Sequence, residues 1–308
     1  MKVLFVSSGN NRYGISPIIK NQGDSLVKEG VEVDYFTIKG KGLKGYIKAI
    51  FELREYLKNN HYDIIHAHYW LSGISAALSG AKPLVVSLMG DDVKANGVFR
   101  AIVSFFHSFF WDKTIVKSKD MYKSFGKKDV AIIPNGVDLE KFRPIEKKFA
   151  LEVTGWDENK RHILFTANPK REVKNFALTK EAFELLNSDE IELHALVDIP
   201  NEKVPFFYNS ADVVVMSSLW EGSPNAIKEA MACNIPIVST DVGDVKDVIG
   251  DTKGCYVSSA NAREFAYFIK EALAFKGRTN GREHVRALSS LNIAQVLIAL
   301  YNRVLKGK

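Results

Sequence analysis

Residues 221–243 read EGSPNAIKEAMACNIPIVSTDVG, a stretch that joins a loop, a helix start and an apolar strand. Ser223 suits the N-cap of a helix, and Pro224 suits the first helical position, where its missing N–H costs nothing. The N–H groups that follow, beginning with those of Asn225 and Ala226, would have no acceptor within the helix and would lie at the positive end of its dipole. This order of residues predicts an anion site, for which phosphate is a typical ligand.

Two carboxylates flank this helix start. Glu221 lies just before it, and Glu229 lies about a turn and a half inside the helix. A sugar joined to a ribose by a diphosphate needs amides for the charge and one carboxylate for the hydroxyl groups on each side. Glu is also common on exposed surfaces, so the spacing alone would favour two solvated side chains. The accompanying Ser-Pro, Ala-Met-Ala and Thr-Asp-Val-Gly sequences favour a binding site instead.

The stretch resembles the donor-sugar signature of the retaining glycosyltransferases of GT-B fold, the family 4-like or group 1 enzymes. In that family the first Glu contacts the transferred sugar and the second holds the ribose of the nucleotide. The resemblance therefore implies that Glu221 is catalytic and that Glu229 binds the donor. It implies four further donor-binding residues: Ser223, Pro224, Asn225 and Ala226.

Apolar strands alternate with helices along the whole chain, which predicts βαβ units and parallel sheets. A chain of 308 residues suits two domains of ordinary size. The fold class that we expect is therefore α/β, with two Rossmann-like domains as in the GT-B fold.

A boundary between the two domains is predicted near Pro144. The segment from Pro134 to Pro144 carries an Asn-Gly turn signal and resembles the segment that closes the N-terminal domain of the family. We expect an acceptor-side domain at 1–144 and a shortened domain for the nucleotide-sugar at 145–290. By the resemblance, a helix at 291–308 crosses back to pack on the first domain.

A basic loop precedes the two carboxylates. Arg171 and Lys174 lie between a predicted strand and a predicted helix, at the carboxyl end of a parallel sheet, where ligands of open α/β sheets bind. Two cations aimed at a diphosphate can neutralise the leaving group in place of a metal. The family uses an Arg and a Lys of this loop in that way, which implies catalytic roles for both residues and no metal ligands. Lys170 could replace Arg171 if the register shifts by one residue, and an exposed basic loop is the alternative.

The first half of the chain supplies further candidates. Gly14 belongs to a glycine-containing loop that resembles the first loop of the fold, where the backbone approaches the donor closely. Four residues are candidates for the acceptor side of the cleft: Arg12, His68, Met89 and Asp91. A buried, hydrogen-bonded histidine is the alternative for His68, and zinc is discounted there because no third ligand is evident near His66 and His68.

Charge is unevenly distributed along the chain. Residues 1–147 contain 22 Lys and Arg against 15 Asp and Glu, a net charge of +7, whereas the remainder carries −1. A basic half can face nucleic acid, an anionic membrane surface or an acidic acceptor, or it can be a solvated surface. No nucleic-acid-binding module is recognised, so we expect no nucleic-acid partner.

An aromatic helix is predicted over 98–110. Its rings would fill the core of the first domain, which is the preferred interpretation, or would lie at a membrane interface. They are Phe99, Phe105, Phe106, Phe109 and Phe110, followed by Trp111. The longest uncharged apolar run is far shorter than the ~20 residues of a membrane span, and two cysteines give no disulfide framework. We expect a cytoplasmic protein, with peripheral attachment to the inner face of the membrane as the variant.

The resemblance implies a metal-independent hexosyltransferase that acts with retention of configuration in cell-surface polysaccharide biosynthesis. Its donor would be a UDP- or GDP-linked sugar, its acceptor a glycan or a lipid-linked glycan, and it would need no cofactor. Two departures motivate a catalytically silent sugar-nucleotide-binding or scaffolding protein as the alternative. Met89 stands where the family commonly has a His that meets the donor sugar, and the segment between Val197 and Ala211 lacks about one βα unit.

Overall fold

A computed structural model describes residues 1–10, 14–40, 42–90 and 97–307, without the side chain of Phe99. The chain forms two compact units, each with its own sheet. Unit 1 comprises Met1–Gly136 with Ser290–Lys308, and unit 2 comprises Val137–Ser289. Both sheets are built from parallel strands covered by helices, so the predicted α/β class with two Rossmann-like domains is confirmed.

Unit 1 contains a six-stranded sheet in the order β2-β1-β3-β4-β5-β6. Its strands are β1 (Lys2–Ser8), β2 (Glu32–Ile38), β3 (Ile64–His68), β4 (Leu84–Ser87), β5 (Lys113–Val116) and β6 (Val130–Ile132). The helices between them are α1 (Pro17–Lys28), α2 (Gly42–Asn59), α3 (Trp70–Leu78), α4 (Gly97–Phe109) and α5 (Lys119–Phe125). The inner strands β3 and β4 are buried along their whole length, although β3 contains His66 and His68 and β4 ends in Ser87.

Unit 2 contains a five-stranded sheet in the order β11-β10-β9-β7-β8. The strands are β7 (Arg161–Phe165), β8 (Ile191–Ala195), β9 (Val213–Met216), β10 (Ile237–Thr240) and β11 (Cys255–Ser258). The helices are α6 (Lys147–Thr154), α7 (Phe176–Glu184), α8 (Val204–Ser210), α9 (Asn225–Ala232), α10 (Val245–Ile249), α11 (Ala262–Ala274) and α12 (Gly281–His284). Alternate strand residues face two separate cores, one formed with α9 and α10 and the other with α7 and α11.

The last helix, α13 (Ser290–Lys306), belongs to unit 1, which confirms the expectation that it crosses back. The side-chain amide of Asn21 donates a hydrogen bond to Ser290 Oγ at 2.9 Å. Farther along, the buried Tyr301 hydroxyl lies 2.6 Å from Nδ1 of His66 on β3. Polar pairs at its two ends therefore hold this helix against α1 and against the first sheet.

Several local predictions differ from the structure. Helices α6, α10 and α12 are missing from the sequence interpretation, because each has eight residues or fewer and is too short for a helical period to be recognised. The sequence predicts a strand at 62–66, but β3 covers Ile64–His68, so both His66 and His68 lie inside it. The first segment of unit 1 ends at Gly136, whereas the boundary was expected at 144. Arg282 explains the difference, since its guanidinium donates to the backbone carbonyls of residues 139 and 142 and holds this segment in unit 2.

The aromatic residues of α4 are divided between core and solvent. Phe106 and Phe110 pack against the core of unit 1, and Trp111 is buried in it. Phe105 and Phe109 are instead 52% and 72% exposed, so the preferred prediction that these rings fill the core is only partly right. No helix within the described residues has the length and apolar content needed to cross a bilayer.

Candidate functional site

The candidate site is built from three loops of unit 2. Strands β7, β9 and β10 are neighbours in the sheet, and their carboxyl ends lie at one edge. Lys174 lies in the loop after β7, Glu221 and Ser223 lie after β9, and Gly243 and Asp244 lie after β10. Ligands of open parallel sheets bind at this edge, where the loops from adjacent strands meet.

An ion pair joins two of the predicted catalytic residues. A 3₁₀ turn at Glu172–Lys174 positions the ammonium group of Lys174 against Oε1 of Glu221. Ser218 Oγ donates a hydrogen bond of 2.8 Å to the same oxygen. The two ion-paired side chains are 16% and 17% exposed, so the pair is shielded and yet reachable from solvent. Glu221 Oε2 makes no hydrogen bond to the residues that the structure describes, which leaves this oxygen available to a ligand.

The loop that carries Glu221 is fixed from the side of β10. Thr240 Oγ1 donates a hydrogen bond of 2.7 Å to the backbone carbonyl of Ser218. Gly243 has a φ of +64°, and a Cβ at this position would lie 2.8 Å from the carbonyl oxygen of Gly222. Only glycine permits both this backbone conformation and this close approach. The turn after β10 thus determines where the Glu221 loop can lie.

Helix α9 begins at Asn225 with Pro224 as its N-cap, one residue later than predicted. The prediction that Ser223 is the N-cap was wrong. Ser223 Oγ instead donates a hydrogen bond of 2.7 Å to Oδ2 of Asp244 and accepts one from Nζ of Lys228. The Ser223 hydroxyl is thus engaged by this pair, while Asn225, the first residue of the helix, is partly exposed.

Lys228 and Asp244 form a buried ion pair that sequence reasoning missed. Their charged atoms are 3.0 Å apart, and the side chain of Lys228 is completely buried. Burial lowers the pKa of Lys228, and the nearby Asp244 carboxylate opposes this effect. Lysines are mostly exposed, so a lysine in an amphipathic helix is normally assigned to the surface. The one sequence signal for burial is that Lys228 lies between the apolar residues Ile227 and Met231, both of which are buried in the structure.

Glu229 directly follows Lys228 on α9 and is partly buried. The hydroxyl of Tyr208, a buried residue that the sequence interpretation did not select, donates a hydrogen bond of 2.9 Å to Glu229 Oε2. Burial raises the pKa of Glu229, while the Tyr208 hydrogen bond and the cations Lys141 and Lys228 act in the opposite direction. The carboxylate is therefore oriented through one oxygen in a site that penalises its charge.

Arg171 is exposed, and the structure does not bring its side chain to Glu221. Its backbone N–H bonds to the carbonyl of Asn168, which fixes the loop but not the guanidinium. Lys170 is exposed as well. Of the cations in this loop, Lys174 is the one in direct contact with Glu221.

The candidates of unit 1 have different surroundings. His68 is 2% exposed, and its ring centroid lies 4.6 Å from that of Phe5 and 4.3 Å from that of His66. Burial and the nearby Lys117 lower the pKa of His68, so the imidazole is uncharged. The alternative interpretation of His68 was a buried, hydrogen-bonded histidine. The side chain is indeed buried, but its Nε2 has no hydrogen-bond partner among the described residues. Its predicted cleft contact stays a prediction.

Met89 is partly buried two residues after the end of β4, next to Gly90 with a φ of +139°. Gly14 has a φ of +76°, and a Cβ there would meet no atom within 4 Å. Glycine is therefore favoured at this position by the left-handed backbone conformation and not by a close contact. The predicted contacts of Arg12 and Asp91 lie outside the described residues.

Two family profiles match the chain. Residues 18–141 match the family described as Glycosyltransferase Family 4, and residues 168–274 match the one described as Glycosyl transferases group 1. The two matches lie in successive halves of the chain, and the second includes every unit 2 residue of the candidate site up to Asp244.

Curated relatives agree with these profiles. A Bacillus subtilis (strain 168) protein named as a putative teichuronic acid biosynthesis glycosyltransferase is 26% identical over 238 residues, covering 67% of this chain and 60% of the relative. The UDP-Gal:alpha-D-GlcNAc-diphosphoundecaprenol alpha-1,3-galactosyltransferase of Escherichia coli is 26% identical over 245 residues, covering 64% of this chain and 62% of the relative. The chain thus spans about three fifths of the length of these relatives.

The fold itself also has a solved counterpart. The sucrose-phosphate synthase of Thermosynechococcus elongatus superposes with a TM-score of 0.78 at 17% identity, and the match covers 100% of both chains. At this identity the likeness concerns the fold alone. Taken with the two profiles that match successive halves, it leads to one assignment: the chain belongs to the group 1, family 4-like glycosyltransferases of GT-B fold.

Proposed function

We propose that the protein binds a nucleotide-sugar at the carboxyl edge of the unit 2 sheet and transfers the sugar to a glycan or lipid-linked acceptor. One observation carries this proposal: the Lys174–Glu221 ion pair lies at the same sheet edge as the start of α9. A cation, a carboxylate and a helix N-terminus are the groups that a sugar diphosphate requires. The names of the relatives, which include a UDP-galactose-dependent transferase, point to the same class of donor.

In this proposal each group has one task. Lys174 and the N–H groups that open α9 neutralise the diphosphate as it leaves, which is electrostatic stabilisation by groups already in place. Glu221 Oε2 accepts hydrogen bonds from hydroxyl groups of the sugar. Glu229 Oε1 accepts one from the ribose while Tyr208 holds the other oxygen. No step of this scheme requires a metal ion.

The transfer that we propose retains the anomeric configuration. The acceptor hydroxyl attacks the anomeric carbon on the face from which the diphosphate departs, and its proton passes to a departing phosphate oxygen. The bond from the anomeric carbon to phosphate breaks as the bond to the acceptor oxygen forms, giving a glycoside and a nucleoside diphosphate. This route needs no protein base, so Met89 in the position of a family histidine is compatible with turnover.

The test begins with binding. Thermal shift with UDP, GDP and their hexose conjugates selects the base and the sugar, and the selected donor is then incubated with lipid-linked glycan acceptors. We expect transfer of a hexose, and NMR of the product should show the anomeric configuration of the donor. Inversion would contradict the mechanism, and the absence of binding by any nucleoside diphosphate would contradict the site.

A catalytically silent binding protein is the second candidate. It is favoured by Met89, and by β8 being followed by only eight residues before α8. Calorimetry with the selected donor followed by a turnover assay separates the two. Tight binding with neither transfer nor donor hydrolysis would favour the silent protein.

We further propose that unit 1 associates with the cytoplasmic face of an anionic membrane, where a lipid-linked acceptor would be found. Leu43, Ile47 and Phe51 form an exposed apolar stripe along α2. Lys44 and Lys48 are exposed beside it. Apolar side chains flanked by lysines are typical of helices that lie in a membrane interface. Residues 1–136 and 290–308 of unit 1 contain 22 Lys and Arg against 12 Asp and Glu, a net charge of +10 that supports this association.

A further inference from the structure

A second cluster of ionisable side chains lies in unit 2, on the edge strand β8 and its neighbour β7. His162 on β7 pairs in register with Glu192 on β8, and His194 follows two residues later on the same face. The cluster is covered by the segment before β7, which contains Trp156 and Asp157. It is therefore separate from the loops after the strands, which carry the candidate donor site.

The three side chains converge on one point. His162 Nδ1 lies 3.1 Å from His194 Nε2, and Glu192 Oε2 lies 3.8 Å from the first nitrogen and 3.5 Å from the second. The centre of this triangle is about 2.0 Å from each atom, the length of Zn–N and Zn–O bonds. Two imidazoles and one carboxylate are a ligand set that zinc uses in proteins. Among the described residues, this is the group of His, Cys, Asp and Glu side chains close enough to hold a metal.

The surroundings orient these groups as ligands. His162 Nε2 lies 2.8 Å from the backbone carbonyl of Asp157, so Nε2 carries the proton and Nδ1 presents its lone pair to the cluster. A second ring nitrogen bonded to a backbone carbonyl is the usual support of a metal-binding histidine. Trp156 stacks on His194 at 3.7 Å and 12°, which fixes the ring. Nζ of Lys160 lies 3.4 Å from Glu192 Oε1, so this oxygen is paired with the lysine and Oε2 is the one near the histidines.

We propose that His162, Glu192 and His194 bind one Zn²⁺ ion, with water as the fourth ligand. His194 and Glu192 are 22% and 35% exposed, which gives the ion and the water a path from solvent. The ion would join the edge strand β8 to β7 and hence stabilise unit 2. This role is structural and does not depend on the proposed transferase activity.

The experiment uses the full chain with its purification tag removed, because a histidine tag would bind zinc itself. After chelator treatment and dialysis, Zn²⁺ is titrated in competition with a chromogenic chelator. We expect one tight equivalent and a rise in melting temperature of about 5–10 °C at 100-fold excess over Kd. Co²⁺ should bind at the same stoichiometry and give the visible absorption of a four-coordinate ion.

Two variants remove a ligand while keeping the local packing. His194→Phe retains the stacking on Trp156, and Glu192→Gln retains the side-chain volume. Each should weaken Zn²⁺ binding by at least the ~10–100-fold that loss of an outer-shell partner costs, and should abolish the zinc-dependent melting shift. The matched controls His284→Gln and Glu184→Gln alter a histidine and a glutamate outside the cluster and should bind like the wild type. The proposal would be overturned if the wild-type protein had no stoichiometric Zn²⁺ site. It would also be overturned if both cluster variants bound Zn²⁺ with the affinity of the wild type.

Discussion

The ammonium group of Lys174 forms an ion pair with Oε1 of Glu221, although 47 residues separate them in the sequence. By the sequence interpretation they have separate tasks, the diphosphate for the lysine and the sugar for the glutamate. Their contact couples these tasks, because a diphosphate that attracts Lys174 competes with Glu221 for the same cation. Donor binding is therefore expected to change the hydrogen bonding of Glu221 as well.

Glu221→Gln tests this site directly. Gln keeps the volume and can still accept the Ser218 hydrogen bond, but it lacks the charge. Hydrogen bonds to charged groups contribute about 1.5–3 kcal/mol, so we expect kcat/KM to fall by about 10–100-fold. Glu184→Gln alters a solvent-exposed carboxylate that lies near Lys180, and should leave both kcat/KM and the melting temperature unchanged. Full activity of Glu221→Gln would contradict the proposed site.

A double-mutant cycle measures the coupling between Lys174 and Glu221. Lys174→Met should reduce activity in the wild-type background and have a smaller effect in the Glu221→Gln background. Groups in contact usually show interaction energies of about 0.5–3 kcal/mol in such a double-mutant cycle. Strict additivity of the two effects on kcat/KM would mean that the ion pair plays no part in transfer.

Glu229 gives a prediction about pH. Burial raises the pKa of this carboxyl group in the free protein, whereas a ribose hydroxyl donates most strongly to the ionised form. Donor binding at acidic pH must then release a proton, so affinity should rise with pH through the raised pKa and level off above it. For folding the sign is opposite: the folded state holds this proton more tightly, so the contribution of Glu229 to stability decreases over the same pH range.

Calorimetry of nucleoside diphosphate binding against pH measures this effect. The diphosphate itself also titrates, so the useful quantity is the difference between the wild type and Glu229→Gln. That difference should be largest at neutral pH and shrink as the pH falls through the Glu229 pKa. Parallel pH profiles for the two proteins would mean that Glu229 does not receive the ribose in its ionised form.

The buried pair of Lys228 and Asp244 should matter for stability. Removal of one partner from a buried ion pair leaves an uncompensated charge and costs about 3–5 kcal/mol. We therefore expect Lys228→Met to unfold at a clearly lower denaturant concentration, and Asp244→Asn in the same chain to restore part of the loss. Lys180→Met, which removes an exposed pair with Glu184, should change the free energy of unfolding by less than about 0.5 kcal/mol. Equal effects of the two lysine variants would contradict this assignment.

The sequence was sufficient for features that depend on local patterns. Apolar runs and helix start signals predicted both sheets and most helices. The Ser-Pro, Ala-Met-Ala and Thr-Asp-Val-Gly sequences around Glu221 and Glu229 indicated the candidate site. Contacts between distant segments were not predictable in this way. His162 and the pair Glu192 and His194 lie 30 or more residues apart, and only the register of β7 and β8 brings them together. Lys228 was missed for the same reason, because its partner Asp244 follows a separate strand.

The exposed apolar stripe on α2 can be tested with vesicles. Ile47→Ser combined with Phe51→Ser removes apolar surface that is largely in water, so the fold should be retained while binding to anionic vesicles falls at least about tenfold. Tyr267→Ser, which removes a 57% exposed ring in unit 2, serves as the control. Sedimentation with anionic and with neutral vesicles gives the measurement. Equal binding to both vesicle types, or none by the wild type, would exclude an anionic membrane surface as the partner.

Gly243→Ala should displace the loop that carries Glu221. Alanine at this position is unfavourable for two reasons: φ is positive, and the Cβ would lie only 2.8 Å from the carbonyl oxygen of Gly222. Gly155→Ala is the matched control, since Gly155 has a similar φ of +71° and a Cβ there would meet no atom within 4 Å. The control should lose about 1–2 kcal/mol from the left-handed backbone alone.

Gly243→Ala should lose about 1–3 kcal/mol more than this control, because the clash can be relieved only by moving the backbone of the Glu221 loop. A shift of about 1 Å in a catalytic group can lower activity by about 100-fold, so kcat/KM should fall far more in Gly243→Ala than in Gly155→Ala. Chemical denaturation and kinetics on the same two preparations separate the effects. If both variants kept wild-type kcat/KM, the contact between the turn after β10 and the Glu221 loop would have no role in positioning the carboxylate.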